Sequence, residues 1–524
     1  MTQAKEMIFD EEARSKLSKG IKELADVVGF TLGPQGRNVG LEKAWGPPSI
    51  TNDGGSVVDD ISMKDKWENM GASMAKEVVQ KIKEACGDGT TTGTLLFKAL
   101  VENGVKQISA GASPIDIKRG IDKAVDQISK ALEKDAIEVK GSEEIKNIAT
   151  VSASGNKEVG EMIAKAMDKA GKNGVITIEE SKSTEDELEI VEGMQFDRGW
   201  VSPYFATNAE KMITELENPY ILIVDKKIVS VQELLPLLQA VVSGGKALLI
   251  IAEDFEGDVL STLVVNRLRG SLKVAAVKAP GFGDRRKAML KDIAILVGAQ
   301  VISEEAGMSL KETTPDALGS SDKVVITKDK TTIIGGAGSQ AAIKGRVQEI
   351  EHELKNTSSK YDKEKLEERK AKLSGGVAVI KVGGYSEPVM KQKKQMFEDA
   401  LNSTKAAVEE GIVAGGGVAL LRASQTLVET ENSDEAFGAK IVKKACETPL
   451  RQIAQNSGLD GSVVLSKVLE GKDAFGFNAE TQKMEDLIDA GVVDPIKVVR
   501  LGLVYAAAQA GVVLISEVLM ADAD

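Results

Sequence analysis

The chain is predicted to be a multidomain α and α/β protein, and three observations point there. Its 524 residues exceed what one hydrophobic core serves, so roughly two to four domains are expected. Helical periodicity dominates both ends, whereas short apolar strands alternate with helices between residues 194 and 375. Boundaries near residues 135 and 193 on the way out match boundaries near 376 and 411 on the way back, several marked by glycine. That pairing predicts nesting: an α domain split between the two ends, a small connector also split, and one continuous central insert.

The elements follow in order. Residues 11–30 carry Leu17, Ile21, Leu24, Val27 and Val28 on one helical face, and Thr31-Leu32-Gly33-Pro34 stops that helix. Short strands are expected at Val39 and Leu41 and at Ser49-Ile50-Thr51, followed by the tight turn Asn52-Asp53-Gly54-Gly55. Met74, Val78, Ile82 and Ala85 are spaced as one helix face; Gly87 and Gly89 break it, and Thr90-Thr91-Thr92 opens a second helix carrying Leu95, Leu96, Ala99 and Leu100. The run 149–152 reads as a short strand, 159–170 as a helix and 175–178 as a strand. Gly193 is a candidate hinge. In the middle, 220–224, 247–252, 274–277 and 324–326 read as strands, and 346–372 as a charged helical hairpin interrupted at 356–359. Residues 377–382 form a strand and 391–410 a helix containing Asp399, after which the pattern is again mostly α.

Bulk properties narrow the function. A net charge of -13 removes electrostatic support for nucleic-acid binding. Residues Cys86 and Cys446 are the only cysteines and fall in no motif, so a reducing cytoplasmic setting is expected rather than a disulfide framework. The single histidine, His352, sits in a charged run, which argues against a histidine-based triad or metal site. The first 19 residues mix Lys, Glu and Asp with no apolar stretch, so no signal peptide is expected there. The most apolar segment, 501–519, contains Gln509, Ser516 and Glu517 and reads as a buried helix rather than a membrane span.

The stretch Gly87-Asp88-Gly89-Thr90-Thr91-Thr92 carries the chemistry. A glycine turn feeding a Thr-rich helix start leaves backbone N–H groups unpaired at the positive end of a helix dipole, a ready site for phosphate. Asp88 adds a carboxylate from which Mg²⁺ can bridge to phosphates. Gly-Asp-Gly is also an ordinary turn and Thr an ordinary N-cap, so the local pattern admits both readings. No Gly-Lys-Ser or Gly-Lys-Thr occurs, which excludes a Walker loop; Gly93 falls one place late for the dinucleotide fingerprint, and no strand pattern precedes it. Asp53 likewise admits a bland reading, a turn residue capping its own backbone.

Taken jointly and in order, Thr31-Leu32-Gly33-Pro34, Asp53-Gly54, the Gly87 to Thr92 stretch, Ala279-Pro280-Gly281-Phe282-Gly283-Asp284-Arg285-Arg286-Lys287 and Ala407-Val408-Glu409-Glu410-Gly411 through Gly417 resemble the group I chaperonins, the bacterial and organellar protein-folding chambers. The resemblance runs end to end. It implies a mostly α-helical equatorial ATP-binding domain (1–134 and 411–524), a small α/β intermediate hinge domain (135–192 and 377–410) and an α/β apical domain (193–376). It implies an ATP-dependent chaperone that captures non-native polypeptides, closes a chamber with a co-chaperonin lid and forms a homo-oligomeric ring, seven-membered and stacked in pairs, with ATP, Mg²⁺ and K⁺ as cofactors and neither nucleic acid nor membrane as partner.

The resemblance also assigns residues. Thr31, Leu32, Gly33 and Pro34 match the loop beside the phosphates; Asn52 lies next to it; Asp88, Gly89, Thr90, Thr91 and Thr92 match the cradle, with Asp88 as Mg²⁺ ligand. Gly416 packs near the nucleotide, and Asn478, Ala479, Glu480 and Asp494 match base and ribose contacts. Asp53 and Asp399 match the carboxylates that position the attacking water, and Asp399 sits in the connector, so hydrolysis waits for that connector to swing in. Read alone, Asp399 is a solvated carboxylate on a helix face. Trp200, Tyr204, Phe205, Leu235, Leu238, Leu260, Val264 and Val265, with Asn266 at the edge, match an exposed apolar patch for clients and lid, although helical spacing alone calls the helices that carry the last six core-facing. Departures from the family pattern are Asn52 and Gln35 in place of lysines, Gly55 and Asp59-Asp60 after the Asp53 turn, Glu138 in place of a proline, and an end in Met520-Ala521-Asp522-Ala523-Asp524 without a Gly-Gly-Met tail. They suit a diverged paralogue and leave a rival reading, a non-cycling holdase with weak ATP turnover. A metabolic ATP-using enzyme lacks any second substrate constellation.

Overall fold

The computed structural model describes residues 4–42, 48–153, 155–170, 175–181, 183–209, 211–357, 359–428 and 433–523. Of the expected interruption at 356–359, residue 358 lies outside them, as does Asp524 of the terminal five. The chain divides into two compact units, Met1–Lys165 with Gly384–Asp524, and Ala166–Gly383.

The first unit is mainly helical. Helices Asp10–Gly29, Lys66–Cys86, Thr90–Ser109, Pro114–Asp135 and Ile496–Ile515 share one apolar core that includes Leu17, Ile82, Leu96, Ile121 and Leu503. Small residues let the helices approach closely. A Cβ on Gly20 would lie 1.8 Å from the carbonyl oxygen of Glu68, and one on Gly71 would lie 2.2 Å from that of Leu17, so the first and second of these helices cross almost backbone to backbone. The helix Ile496–Ile515 is long and apolar enough to cross a membrane by composition; here Gly502, Leu503, Ala506, Ala507, Ala510 and Leu514 are buried against its neighbours. It begins and ends earlier than the apolar run 501–519 suggested, because Val518–Asp522 leaves as a strand and pairs antiparallel with Lys5–Phe9. Two further strand pairs matter below: Ile412–Ala414 with Val493–Pro495, and Phe475–Asn478 with Lys483–Asp486.

One expected strand is a helix. Residues 149–152 close the helix Ser142–Ser152, where Ile148 and Ala149 are buried and the Glu144 carboxylate accepts from the Lys140 and Gly141 N–H groups at its start. The four-residue run Ala149-Thr150-Val151-Ser152 is too short to carry a usable period, whereas the Glu144 cap upstream marks a helix start.

The second unit is an α/β layer structure. Its main sheet runs Val274–Lys278, Leu248–Phe255, Tyr220–Ile228, Gly319–Ile326, Thr331–Gly336, Gly193–Phe196. The first three are parallel and read as near-continuous apolar runs because helices cover both faces. The later strands are antiparallel. A second, three-stranded sheet places Val377–Val382 between Val175–Glu180, parallel, and Glu187–Val191, antiparallel. The charged hairpin is the helix pair Gln340–Asn356 and Lys360–Ser374, tied to the helix Gly283–Val297 by the buried Asp292, which accepts from Arg346 Nε at 2.7 Å and from Arg369 Nε at 2.8 Å.

Candidate active site

The first unit contains the phosphate-cradle stretch, and the cradle is built by two glycines. Gly87 (φ 73°) ends the helix Lys66–Cys86 and Gly89 (φ 84°) precedes the helix Thr90–Ser109; both take left-handed backbone that other residues adopt at a cost. No side chain caps the start of the second helix, so the first-turn N–H groups of Thr90, Thr91 and Thr92 remain available to an anion. The cradle is also tight: a Cβ at Gly89 would lie 2.5 Å from Val498 Cγ1, and one at Gly87 would lie 2.4 Å from Asn402 Cβ. Asp88, between them, accepts from the Gly89 N–H on Oδ1 and from the Ser152 hydroxyl on Oδ2, both at 2.6 Å.

The 31–34 loop lies against the cradle. Thr31 Oγ1 donates to the Val28 carbonyl at 2.8 Å and stands 3.4 Å from Thr91 Oγ1. The amide of Asn456, 8% exposed, donates to the carbonyls of Gly29 and Leu32 and so fixes the turn before Gly33 and Pro34. The Asn52-Asp53 turn lies against the same threonines, since a Cβ on Gly54 would fall 2.0 Å from Thr91 Oγ1 and 3.3 Å from Thr31 Oγ1. Asp53 caps the short helix Gly54–Asp60, accepting from the Gly55 and Ser56 N–H groups at 3.2 and 2.8 Å and from the Ser56 hydroxyl at 2.6 Å. The bland capping role and proximity to the cradle therefore coexist in one side chain.

Two more carboxylates converge here. Asp399, on the helix Glu387–Glu410, is crowded, and burial together with the charges of Asp53 and Asp88 pushes its carboxyl up to about 8. Its Oδ1 accepts from Gln395 Nε2 at 2.7 Å. Asp494 lies in the strand Val493–Pro495, opposite Val413, and burial followed by the charge of Asp88 pushes it up to about 7. Gly416 follows the paired strand, and a Cβ there would lie 3.6 Å from the Phe477 carbonyl oxygen. This sets Asn478, Ala479 and Glu480 beside the same turn. Asn478 is spent within its own hairpin, with its Oδ1 accepting from the Glu480 N–H at 3.0 Å and its Nδ2 donating to Glu485 at 2.8 Å, while Glu480 is exposed.

No group of three or more His, Cys, Asp or Glu side chains among the described residues is arranged to enclose a metal. Asp88 with its neighbours fits a cation whose remaining positions are filled by phosphate and water, the usual manner for Mg²⁺. Ser152, Gln395 and Asn456 were not singled out from sequence. Gln395 carried a usable signal, its position one helical turn before Asp399; Ser152 and Asn456 carried none.

The second unit holds the expected apolar patch, and its exposure is only partly as expected. Tyr204 is 63% exposed, and Leu235 and Val265 are open to solvent. Trp200, Leu260 and Val264 are partly buried against the unit's core. Phe205 and Leu238 are corrections: Phe205 is 0% exposed, with the Thr214 hydroxyl donating to its carbonyl at 2.9 Å, and Leu238 lies on the buried side of its helix with Leu234, Leu237 and Val241. Asn266 is turned back on its own helix, donating to the Thr262 carbonyl at 2.9 Å and accepting from the Ser271 hydroxyl at 3.1 Å. Phe282, Leu268 and Val242 are exposed apolar residues outside the expected set.

A helical unit with an uncapped glycine–threonine cradle ringed by carboxylates, encoded around a continuous α/β unit with exposed aromatics, defines a chaperonin-type subunit. Residues 24–523 match the TCP-1/cpn60 chaperonin family, and the chain belongs to that family, in its group I branch. It is 65% identical over 525 aligned positions to Chaperonin GroEL 3 of Protochlamydia amoebophila (strain UWE25), covering 100% of this chain and 98% of that relative. As a chaperonin it assists protein folding.

Proposed function

We propose that this chaperonin hydrolyses ATP and couples the hydrolysis to enclosure of non-native polypeptides. One observation carries the reading: beside an uncapped helix start Asp399 meets the charges of Asp53 and Asp88, and Asp494 meets that of Asp88, four residues drawn from distant segments. The Thr90, Thr91 and Thr92 N–H groups bind and orient phosphate oxygens, and the 31–34 loop closes over them. Asp88 is the side chain that would hold Mg²⁺, which when bound neutralises charge between phosphates. Asp53 and Asp399 hold and orient the attacking water, while Gly416, Asn478, Ala479, Glu480 and Asp494 form the nucleoside side. K⁺ is a further expected cofactor.

The proposed domains are equatorial 1–134 and 411–524, intermediate 135–192 and 377–410, and apical 193–376. Asp399 then belongs to the intermediate domain, and motion of that domain gates the chemistry. The apical face centred on Tyr204, Leu235 and Val265 takes apolar clients and the lid, by the non-directional hydrophobic effect. Seven-membered rings stacked in pairs, a co-chaperonin lid and a cytoplasmic location complete the proposal. Its test is the steady-state phosphate release and refolding yield of Asp399→Ala: both fall sharply, and continued hydrolysis at the parental rate removes the water-positioning role.

A further inference from the structure

The helix Glu387–Glu410 presents Asp399 to the cradle, and one side chain on that helix holds it there. Gln395, one turn earlier, donates its amide N–H to Asp399 Oδ1 at 2.7 Å. A Gln–Asp pair four residues apart on an exposed helix adds little to stability. This pair is different because of where its acceptor sits. Asp399 faces Asp53 and Asp88, and Lys83 is the cation that acts on it from the neighbouring helix. The charges of Asp53 and Asp88 act on Asp399, and a side chain free to rotate about its bonds would swing away from them.

We infer that Gln395 is a positioning residue for the chaperonin's hydrolytic step, a neutral amide clamp that fixes the rotamer of Asp399 and leaves Oδ2 directed at the cradle. An uncharged donor suits that position. A lysine or arginine would form an ion pair with Asp399 and compete for it with the cradle, whereas an amide orients the carboxylate and adds no charge to a site built for phosphates. The amide also works against burial, favouring the ionised form of Asp399. Asp88 is likewise held by neutral donors, the Gly89 N–H on Oδ1 and the Ser152 hydroxyl, from the helix Ser142–Ser152, on Oδ2.

The inference rests on the proposed role of Asp399, and its test separates the two. Gln395→Met keeps the side-chain length and removes the donor. It is expected to lower kcat for ATP hydrolysis about tenfold with KM within about twofold. In an Asp399→Ala background the same substitution is expected to change turnover by less than about twofold, because the clamp no longer has its acceptor. A nucleotide-free readout accompanies this: carbodiimide labelling mapped by mass spectrometry rises about threefold at Asp399 in Gln395→Met and stays constant at Asp53. Unchanged kcat in Gln395→Met, equal losses in both backgrounds, or unchanged labelling at Asp399 overturns the inference. Parental turnover by Asp399→Ala alone overturns the role of Asp399 and the clamp with it.

Discussion

The cradle in the helical unit and the apolar face in the α/β unit are built on opposite principles. The cradle gathers polar groups that repel one another or lack partners: an uncapped helix start, carboxyls pushed up to about 8 and about 7, and glycines that no side chain can replace. Such an arrangement costs stability and persists only where surrounding structure holds it in place. The apolar face carries no such tension. Tyr204, Leu235 and Val265 are ordinary side chains whose only unusual property is that nothing covers them. The difference teaches that the first site is specified by geometry to fractions of an ångström, whereas the second is specified by area and tolerates rearrangement.

That contrast can be broken or sharpened by substitution. The largest expected effect is in the cradle: Asp88→Ala should weaken nucleotide binding in Mg²⁺ by about a hundredfold and much less in EDTA, read by titration of a fluorescent nucleotide. Next is the division within the apolar set. Phe205→Ala should cost about 3–5 kcal/mol in denaturant unfolding, since it empties a buried site. Tyr204→Ser should cost less than about 0.5 kcal/mol yet reduce capture of an unfolded client several-fold. Equal stability losses for the two would erase the distinction between core and face.

A smaller effect concerns pH. The Asp399 carboxyl stands near 3.8 in the unfolded chain and about 8 in the folded one, so the folded protein carries the extra proton between those values. Stability of the nucleotide-free protein therefore falls as pH rises through that window, and Asp399→Asn should flatten the slope measured from pH of about 5 to about 9. The smallest effect is expected for Lys146→Ala, which breaks a pair with Glu161 at 3.1 Å on the surface and should leave the denaturant midpoint of unfolding unchanged.

Legibility in the sequence followed the same divide. The turn at Gly87 and Gly89, the helix opened by Thr90 and the nested order of α and α/β segments were readable because glycine punctuation and helical period are local signals. Asp399 was not readable locally, since one acidic residue on a helix has the same pattern whether it faces water or a cluster of carboxylates; only the end-to-end resemblance singled it out. Ser152 was hidden twice, by the short run Ala149-Thr150-Val151-Ser152 that mimicked a strand and by a contact spanning 64 residues of sequence. In the apolar set, spacing could not tell Phe205 and Leu238, which are core, from Tyr204 and Leu235, which are not, because both kinds of position are filled by the same residue types.

We propose that binding and hydrolysis are served by different parts of one cluster: backbone and Asp88 hold the nucleotide, and Asp399, carried on a separate helix, performs only in the reaction. Single-turnover hydrolysis and nucleotide affinity measured on one preparation of Asp399→Ala test it directly. The account predicts hydrolysis slowed by at least about a hundredfold with affinity within a few-fold of the parent. Affinity and rate falling together, or neither changing, would contradict it.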